Sequence, residues 1–385
     1  MLFKIIDDYC FRSKNVYNCA NYIIRQEFIN NGKWIRYNQL DKIMHDYECY
    51  YELGSQSSQN ILRVLDNNWI SFFRSIKDWS KFPQKYLGKP KLPNYKNKEG
   101  RQVFILKNTQ ASITDGILRI SFRPFNGYTV PTKVKSKLIQ VRFVPKGSCY
   151  IMEIVYETEV PEQPIEPKRI TAIDLGIDNF ATITNNIGLQ PIVIKGGIIK
   201  SINQYYNKRK SSIQSELMLK NKKKRSKKLD NLTLKRNNRI KSWIHKSSKI
   251  IVDYCVINNI DTLVCGLNKG WKQECNIGKV INQTFVSIPY EMFINQLIYK
   301  CENNGIKFIK IEESYTSGTS FLDNELPTEN NYDKSRRIYR GLFKCNDNRL
   351  INSDVNGSYQ IMKKVFPNLL SSEGIEGIGC YPVAI

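Results

Sequence analysis

The stretch Ile170-Thr-Ala-Ile-Asp174-Leu-Gly-Ile-Asp-Asn-Phe180-Ala-Thr-Ile-Thr184 confines this chain more than any other. An apolar, β-branched run ending in an acid, a glycine turn and a second β-branched run form the pattern of a hairpin with its carboxylate at the tip. An aspartate in such a run costs free energy unless it is hydrogen-bonded or holds a cation. Asp174 therefore reads either as a metal ligand or as a turn aspartate satisfied by backbone N–H groups.

A second acid occupies a comparable position near the C-terminus. In Leu350-Ile-Asn-Ser-Asp354-Val-Asn356-Gly-Ser-Tyr-Gln-Ile-Met-Lys-Lys-Val365, Asp354 opens a segment whose Val355, Tyr359, Met362 and Val365 recur near helical spacing. Aspartate is a favoured helix cap, so capping competes with metal binding as the reason for Asp354.

Taken together, D-x-G at Asp174 and S-D-x-N-G at Asp354 resemble the first and third RuvC nuclease motifs of the TnpB family. Its members are transposon-encoded, RNA-guided DNA endonucleases related to type V CRISPR effectors. The likeness extends through Leu267-Asn-Lys-Gly-Trp-Lys-Gln273, Asn282-Gln-Thr-Phe-Val-Ser-Ile-Pro289 and Glu312-Glu-Ser-Tyr-Thr-Ser317. It covers the C-terminal half by motif and the N-terminal half by composition and layout.

The order of elements agrees with a multidomain α+β chain. Apolar residues at helical spacing, among them Ile61, Leu65, Trp69 and Phe72, fill the region up to about Trp79, with a break at Asn31-Gly32. A basic linker with Pro83, Pro90 and Pro93 ends the helices, and short strands are expected at 103–106, 117–122, 138–144 and 150–156. After the linker 161–167, strands near 192–194, 261–266 and 306–311 alternate with helices, the pattern of a mixed α/β sheet. The resemblance names these parts: a helical recognition domain at 1–82, a β-barrel-like wedge domain at 83–165, and an RNase H-like (RuvC) nuclease domain at 168–385. The last includes a basic helical segment at 201–259 and a degenerate zinc-knuckle loop at 318–349. Family members usually begin with a wedge strand, whereas here the helical pattern starts almost at once, so that strand is expected to be missing or very short.

Charge points to the partner. Fifty-nine Lys and Arg against 35 Asp and Glu leave a formal charge of +24, which favours a polyanion. Between Lys208 and Lys241 the basic run, including Lys222 to Arg225, is opposed only by Glu216 and Asp230, and phosphate contact is expected there. No apolar stretch reaches membrane-spanning length and no signal peptide is recognisable, so no membrane partner is expected and a soluble intracellular protein is. The expected location is cytoplasmic and nucleoid-associated, or nuclear in a eukaryotic host. The ten cysteines are scattered without a CxxC pair, the usage of free thiols.

The resemblance implies phosphodiester hydrolysis with Mg²⁺, two ions being expected, held by carboxylates converging on ions about 3.5–4 Å apart. It also implies a guide RNA transcribed from the transposon end and a double-stranded target DNA beside a short adjacent motif. One departure bears on the chemistry: the family's usual second ligand is a glutamate at the end of the middle strand, and this chain has Gly266 there. Either cleavage has been lost, leaving an RNA-guided DNA-binding protein such as a repressor, or another acid takes over. In some relatives, including the Fanzor proteins, a glutamate two residues before Tyr-Thr-Ser takes this role, and Glu313 is the matching residue. Glu312 is its neighbour and points to the other side of a regular strand. Glu274 is a weaker third choice. The expected catalytic and metal-binding set is Asp174, Glu313 and Asp354. No zinc is expected, because only Cys345 remains of the family's four-cysteine knuckle and one thiolate cannot build a structural site. Phe321, Leu322 and Phe343 are expected to pack that loop instead.

Overall fold

The structure, a computed structural model, describes residues 2–125, 127–222, 225–267, 286–339, 341–368 and 377–385. The chain divides into two compact units, Met1–Thr158 and Glu159–Ile385.

Unit 1 opens with helices α1 (Leu2–Asn31), α2 (Tyr37–Met44), α3 (Glu48–Leu53) and α4 (Ser55–Lys81). The apolar stripe foreseen on α4 is buried at Ile61, Leu65 and Trp69, with the Trp69 indole donating to Asn21 Oδ1 of α1 (3.1 Å). Strands β1 (Phe104–Lys107), β2 (Ala111–Thr114), β3 (Ile117–Ile120), β4 (Thr129–Pro131), β5 (Leu138–Lys146) and β6 (Cys149–Tyr156) follow. They form two antiparallel sheets, β1-β5-β6 and β2-β3-β4. A closed barrel is not what these hydrogen bonds build among the described residues. β2, β3 and β4 are only three or four residues long, too short to carry the pairing round a ring. Helices and strands share one core, in which Cys10, Tyr17 and Trp69 belong to the same cluster as Phe104, Phe125 and Phe143. The glutamines at the start of α4 are engaged within the fold: Gln56 accepts from Thr109 Oγ1 (3.0 Å) and Gln59 donates to Asp41 (3.5 Å).

Unit 2 is organised on β7 (Ile170–Leu175), β8 (Asn179–Asn185) and β9 (Ile192–Lys195), followed by helices α5 (Gly197–Asn221) and α6 (Lys227–Ile257). Next come β10 (Thr262–Gly266), α7 (Tyr290–Glu302), β11 (Lys307–Ile311), β12 (Leu342–Lys344), β13 (Leu350–Asn352), α8 (Ser353–Val365) and β14 (Val383–Ala384). The six-stranded sheet runs β11-β10-β7-β8-β9-β14. β7, β10 and β11 are parallel, whereas β7, β8 and β9 form an antiparallel meander. Alternation along the strands assigns the two faces. Ile173, Leu263 and Cys265 join α6 and α7 in one core, and Ile170, Ala172 and Val264 join α8 and the loop before it in another. Among the described residues no helix is long and apolar enough to cross a membrane.

Candidate active site

Three parallel strands end side by side beneath α8, and the residues at issue lie at those ends. Because Ile170 and Ala172 face α8, period-2 alternation turns Asp174 to the same side. Its carboxylate lies against α8 at Gly357, where a methyl group in place of the glycine hydrogen would come within 2.9 Å of Asp174 Oδ2. The glycine of S-D-x-N-G is therefore the residue that lets the helix settle on the acid. Ser358 fixes the same turn of α8, its hydroxyl meeting Ala172 O (3.0 Å) and Thr184 Oγ1 (2.9 Å).

Gly266 ends β10, paired with Ile311 of β11 and one step beyond the Cys265–Ile173 pair with β7. A methyl group added at Gly266 would sit 2.5 Å from Ile361 Cδ1 and 2.8 Å from Glu313 Oε2. The Glu313 carboxylate thus lies in the room that a side chain at 266 would need. Ile309 and Ile311 pack on the α8 side of β11, and Glu313 continues that alternation. Glu312 turns outward, 56% exposed, and pairs with Lys364 (3.1 Å). Its hydrogen bond to Ser314, with the bond and charge of Lys364, holds its carboxyl below the usual range. Glu274 lies outside the described residues, as do most of 267–273 and the start of 282–289.

Asp354 does not cap α8. Asn352 is the cap, its Oδ1 accepting from the backbone N–H groups of Asp354 (3.0 Å) and Val355 (3.2 Å). The Asp354 side chain is left to other partners: it accepts from Asn179 Nδ2 (2.7 Å) and lies 3.7 Å from the Arg337 guanidinium. Asn179 is oriented in turn by Lys195 Nζ, which donates to its Oδ1 (2.8 Å).

Asp174 feels the other two acids. Asp174 is half-buried by exposed area, yet enough protein encloses its carboxyl that burial, followed by the charges of Asp354 and Glu313, pushes its pKa well above the usual aspartate range. The Arg337 charge works in the opposite direction. Glu313 is pushed up to about 7, first by burial and then by Glu312, with Lys364 opposing. Among the described residues no three His, Cys, Asp or Glu side chains are gathered tightly enough to hold an ion as they stand. The donor set nonetheless suits a hard cation, since its oxygens come from carboxylates enclosed together at a cost that positive charge would lower.

Sequence reasoning did not foresee Asn179, Arg337 or the capping role of Asn352. Asn179 opens β8 just after the hairpin turn and Arg337 stands in the Arg336-Arg337 doublet of the loop before α8, and nothing local links either to Asp354. Asn356 was also unread. It clamps that loop by donating to Thr319 O (2.8 Å) and accepting from Phe321 N (2.9 Å).

Residues 153–272 match the family described as "Probable transposase" (OrfB_IS605), and residues 290–361 match the one described as "Cas12f1-like, TNB domain". Over 397 residues the chain is 22% identical to "TnpB-like protein ORF457" of Acidianus two-tailed virus, covering 91% of this chain and 81% of that protein. The chain is similar to the TnpB family. It is also 23% identical over 228 residues to "CRISPR-associated endodeoxyribonuclease Cas12f1" of Sulfoacidibacillus thermotolerans, covering 57% of the chain and about half (50%) of that protein. Its fold is similar to the protein in "Cryo-EM structure of the Cas12f1-sgRNA-target DNA complex", with a TM-score of 0.60 at 13% identity, covering 94% and 82% of the two chains. Both family matches fall on the unit that carries Asp174, Gly266, Glu313 and Asp354, apart from the first residues of the earlier one.

Proposed function

We propose that this chain is an RNA-guided DNA endonuclease of the TnpB type, with Asp174, Glu313 and Asp354 as the acids that bind Mg²⁺. The observation that carries the reading is the Glu313 carboxylate lying against Gly266, beside the strand that carries Asp174 at its end. A chain that had only lost its second acid would have no reason to enclose another carboxylate there, because burial and the nearby acid make its charge costly. That argument favours replacement over loss.

Bound Mg²⁺ would activate water and stabilise the leaving oxygen of the scissile phosphodiester. The residues of the chain have separable tasks. Asp174 is held by the strand end and by Gly357 of α8. Asp354 is aimed by Asn179, which Lys195 orients. Arg337, beside Asp354, balances part of the local negative charge and is available to a phosphate oxygen. A relative named an endodeoxyribonuclease, and a similar fold solved with sgRNA and target DNA, support guide RNA and target DNA as the partners. A guide transcribed from the transposon end and a short motif beside the target belong to the same proposal, as does a wedge-like role for the strands of unit 1.

The test is cleavage of matched target DNA in Mg²⁺ by protein loaded with its guide, with DNA binding measured in parallel. Glu313→Gln, Asp174→Ala and Asp354→Ala are expected to bind like wild type and to lose cleavage by roughly 10³-fold or more, the combined variants falling little further because the acids act as a unit. Glu312→Gln is expected to keep most activity, since its side chain pairs with Lys364 at the surface. Cleavage that survives Glu313→Gln would remove Glu313 from the site. A guide-loaded wild type that binds matched DNA without cutting it would replace the enzyme with a guided binder.

A further inference from the structure

Away from the carboxylates, α5 and α6 form a helical pair that encloses a cavity of about 560 Å³. This lies within the range of roughly 300–1,000 Å³ usual for small-ligand sites. Its lining is unusual for the space between two packed helices. On α6, Lys228, Leu232, Lys235 and Arg239 succeed one another at helical spacing and all line it, so the stripe that would ordinarily be apolar is cationic. Arg209 adds a charge from α5, and among the described residues no carboxylate lines the cavity. Lys235 and Arg239 stand four apart, a like-charge spacing that weakens a helix unless something anionic compensates it.

Two rings complete the wall. Tyr205 is 59% exposed and precedes Arg209 by one turn of α5. Tyr206 is anchored by a hydroxyl contact with Thr233 Oγ1 (3.1 Å) and lies 5.4 Å beneath the Arg236 guanidinium. Arg236 is pinned by neutral acceptors among the described residues, donating to Asn203 Oδ1 (2.9 and 2.6 Å), Asn237 Oδ1 (3.0 Å) and Ser287 O (3.1 Å). A rigid ring backed by a fixed cation, an exposed ring beside it and further cations at the rim match the two parts of a nucleotide, its planar base and its phosphate.

We infer that the cavity between α5 and α6 receives a single unpaired nucleotide of a bound strand, its base stacked on Tyr205 and its flanking phosphates held by Arg209, Lys235 and Arg239. Concavity separates this from general attraction to nucleic acid. Duplex bases are already stacked and cannot enter a cavity between helices, whereas an unpaired base can be turned out onto a ring. RNA and DNA share this chemistry, so the source of the strand is left to the experiment. The inference rests on the nucleic-acid-binding part of the function proposed above and is independent of the carboxylates.

The full chain, freed of nucleic acid at high salt, is titrated with single-stranded RNA and DNA 12-mers carrying one photoactivatable thiopyrimidine, and with the corresponding duplexes. Cross-links are then mapped by peptide mass spectrometry. The expected result is a cross-link to the peptide containing Tyr205 and Tyr206 from a single strand and none from a duplex. Whether the RNA or the DNA strand gives it identifies the source. Tyr205→Ala is expected to weaken single-strand binding by roughly 5- to 100-fold, with Tyr205→Phe staying within about two-fold, because the ring and not the hydroxyl does the stacking. Duplex binding should be unchanged in both variants, and an exposed position keeps both folded. Wild-type affinity in Tyr205→Ala, or equal losses for strand and duplex, would overturn the nucleotide site while leaving nucleic-acid binding intact. A wild type that binds neither strand nor duplex would overturn both readings.

Discussion

Gly266 shows how one missing side chain can reorganise a site. An alanine there would press on Ile361 Cδ1 at 2.5 Å and on Glu313 Oε2 at 2.8 Å, so Ile361 or the acid must move. Gly266→Ala is expected to lower stability by about 1–3 kcal/mol, the usual cost of overpacking, and to reduce cleavage by displacing Glu313. Adding Ile361→Val, which removes the Cδ1 atom, should recover part of the stability. Urea unfolding of the two single variants and the double variant measures that coupling. Additive losses would mean that Ile361 is not what the alanine meets. The exchange of roles between Asn352 and Asp354 belongs to the same scale: the neighbouring amide takes the cap, and the acid turns to Asn179 and Arg337 instead.

At the scale of elements, the described residues of the loop between Gly318 and Arg349 are held by packing and polar contacts. Phe321 stacks on Tyr359 of α8 at 4.5 Å, and Phe321, Leu322, Phe343 and Cys345 are all buried in that core. A polar latch closes its outer side. Arg336 grips both oxygens of Glu325 (2.9 and 2.7 Å) and faces Asp323 at 3.9 Å, while Glu325 Oε2 also accepts from Ser320 N (2.7 Å). Because these side chains are only 10–18% exposed, Arg336→Met is expected to strand two acids and cost about 3 kcal/mol, read as a lower unfolding midpoint in urea. A chelator should leave the wild-type melt in place, and protein purified without added metal should carry far less than one zinc per chain. A melt that falls in chelator would show that the loop is held by metal after all.

The whole molecule is dominated by its charge of +24. Affinity for RNA should therefore fall steeply and linearly on a log–log plot against salt. Neutralising Lys222 through Arg225, at the junction of α5 and α6, should flatten that slope by about 0.7 for each single-strand phosphate that the protein no longer neutralises. Lys222 and Arg225 are both exposed, although Arg225 already shares Asp230 at 3.3 Å, so their contributions need not be equal. An unchanged slope and affinity would take the run out of the interface.

Much of the scaffold could be read from one dimension, because period-2 and helical spacing are local. The strand ending in Asp174, the acid at the start of α8, the strands at Thr262–Gly266 and Lys307–Ile311 and the stripe of α4 all follow from residues a few positions apart. The missing glutamate at Gly266 and the rival acids at 312 and 313 were also legible, through motif resemblance. Short β2 and β4 and the parallel edge strand β14 were not, since strands of two to four residues carry too little pattern and exist by virtue of their neighbours. Nor could spacing alone bring Asn179 to Asp354 across 175 residues, or set Arg337 beside it. The outward turn of Glu312 and the inward turn of Glu313 were decided by which side of β11 α8 covers. The vacancy that Glu313 fills exists only where β10 and α8 meet, and that is a property of packing between segments far apart in the chain.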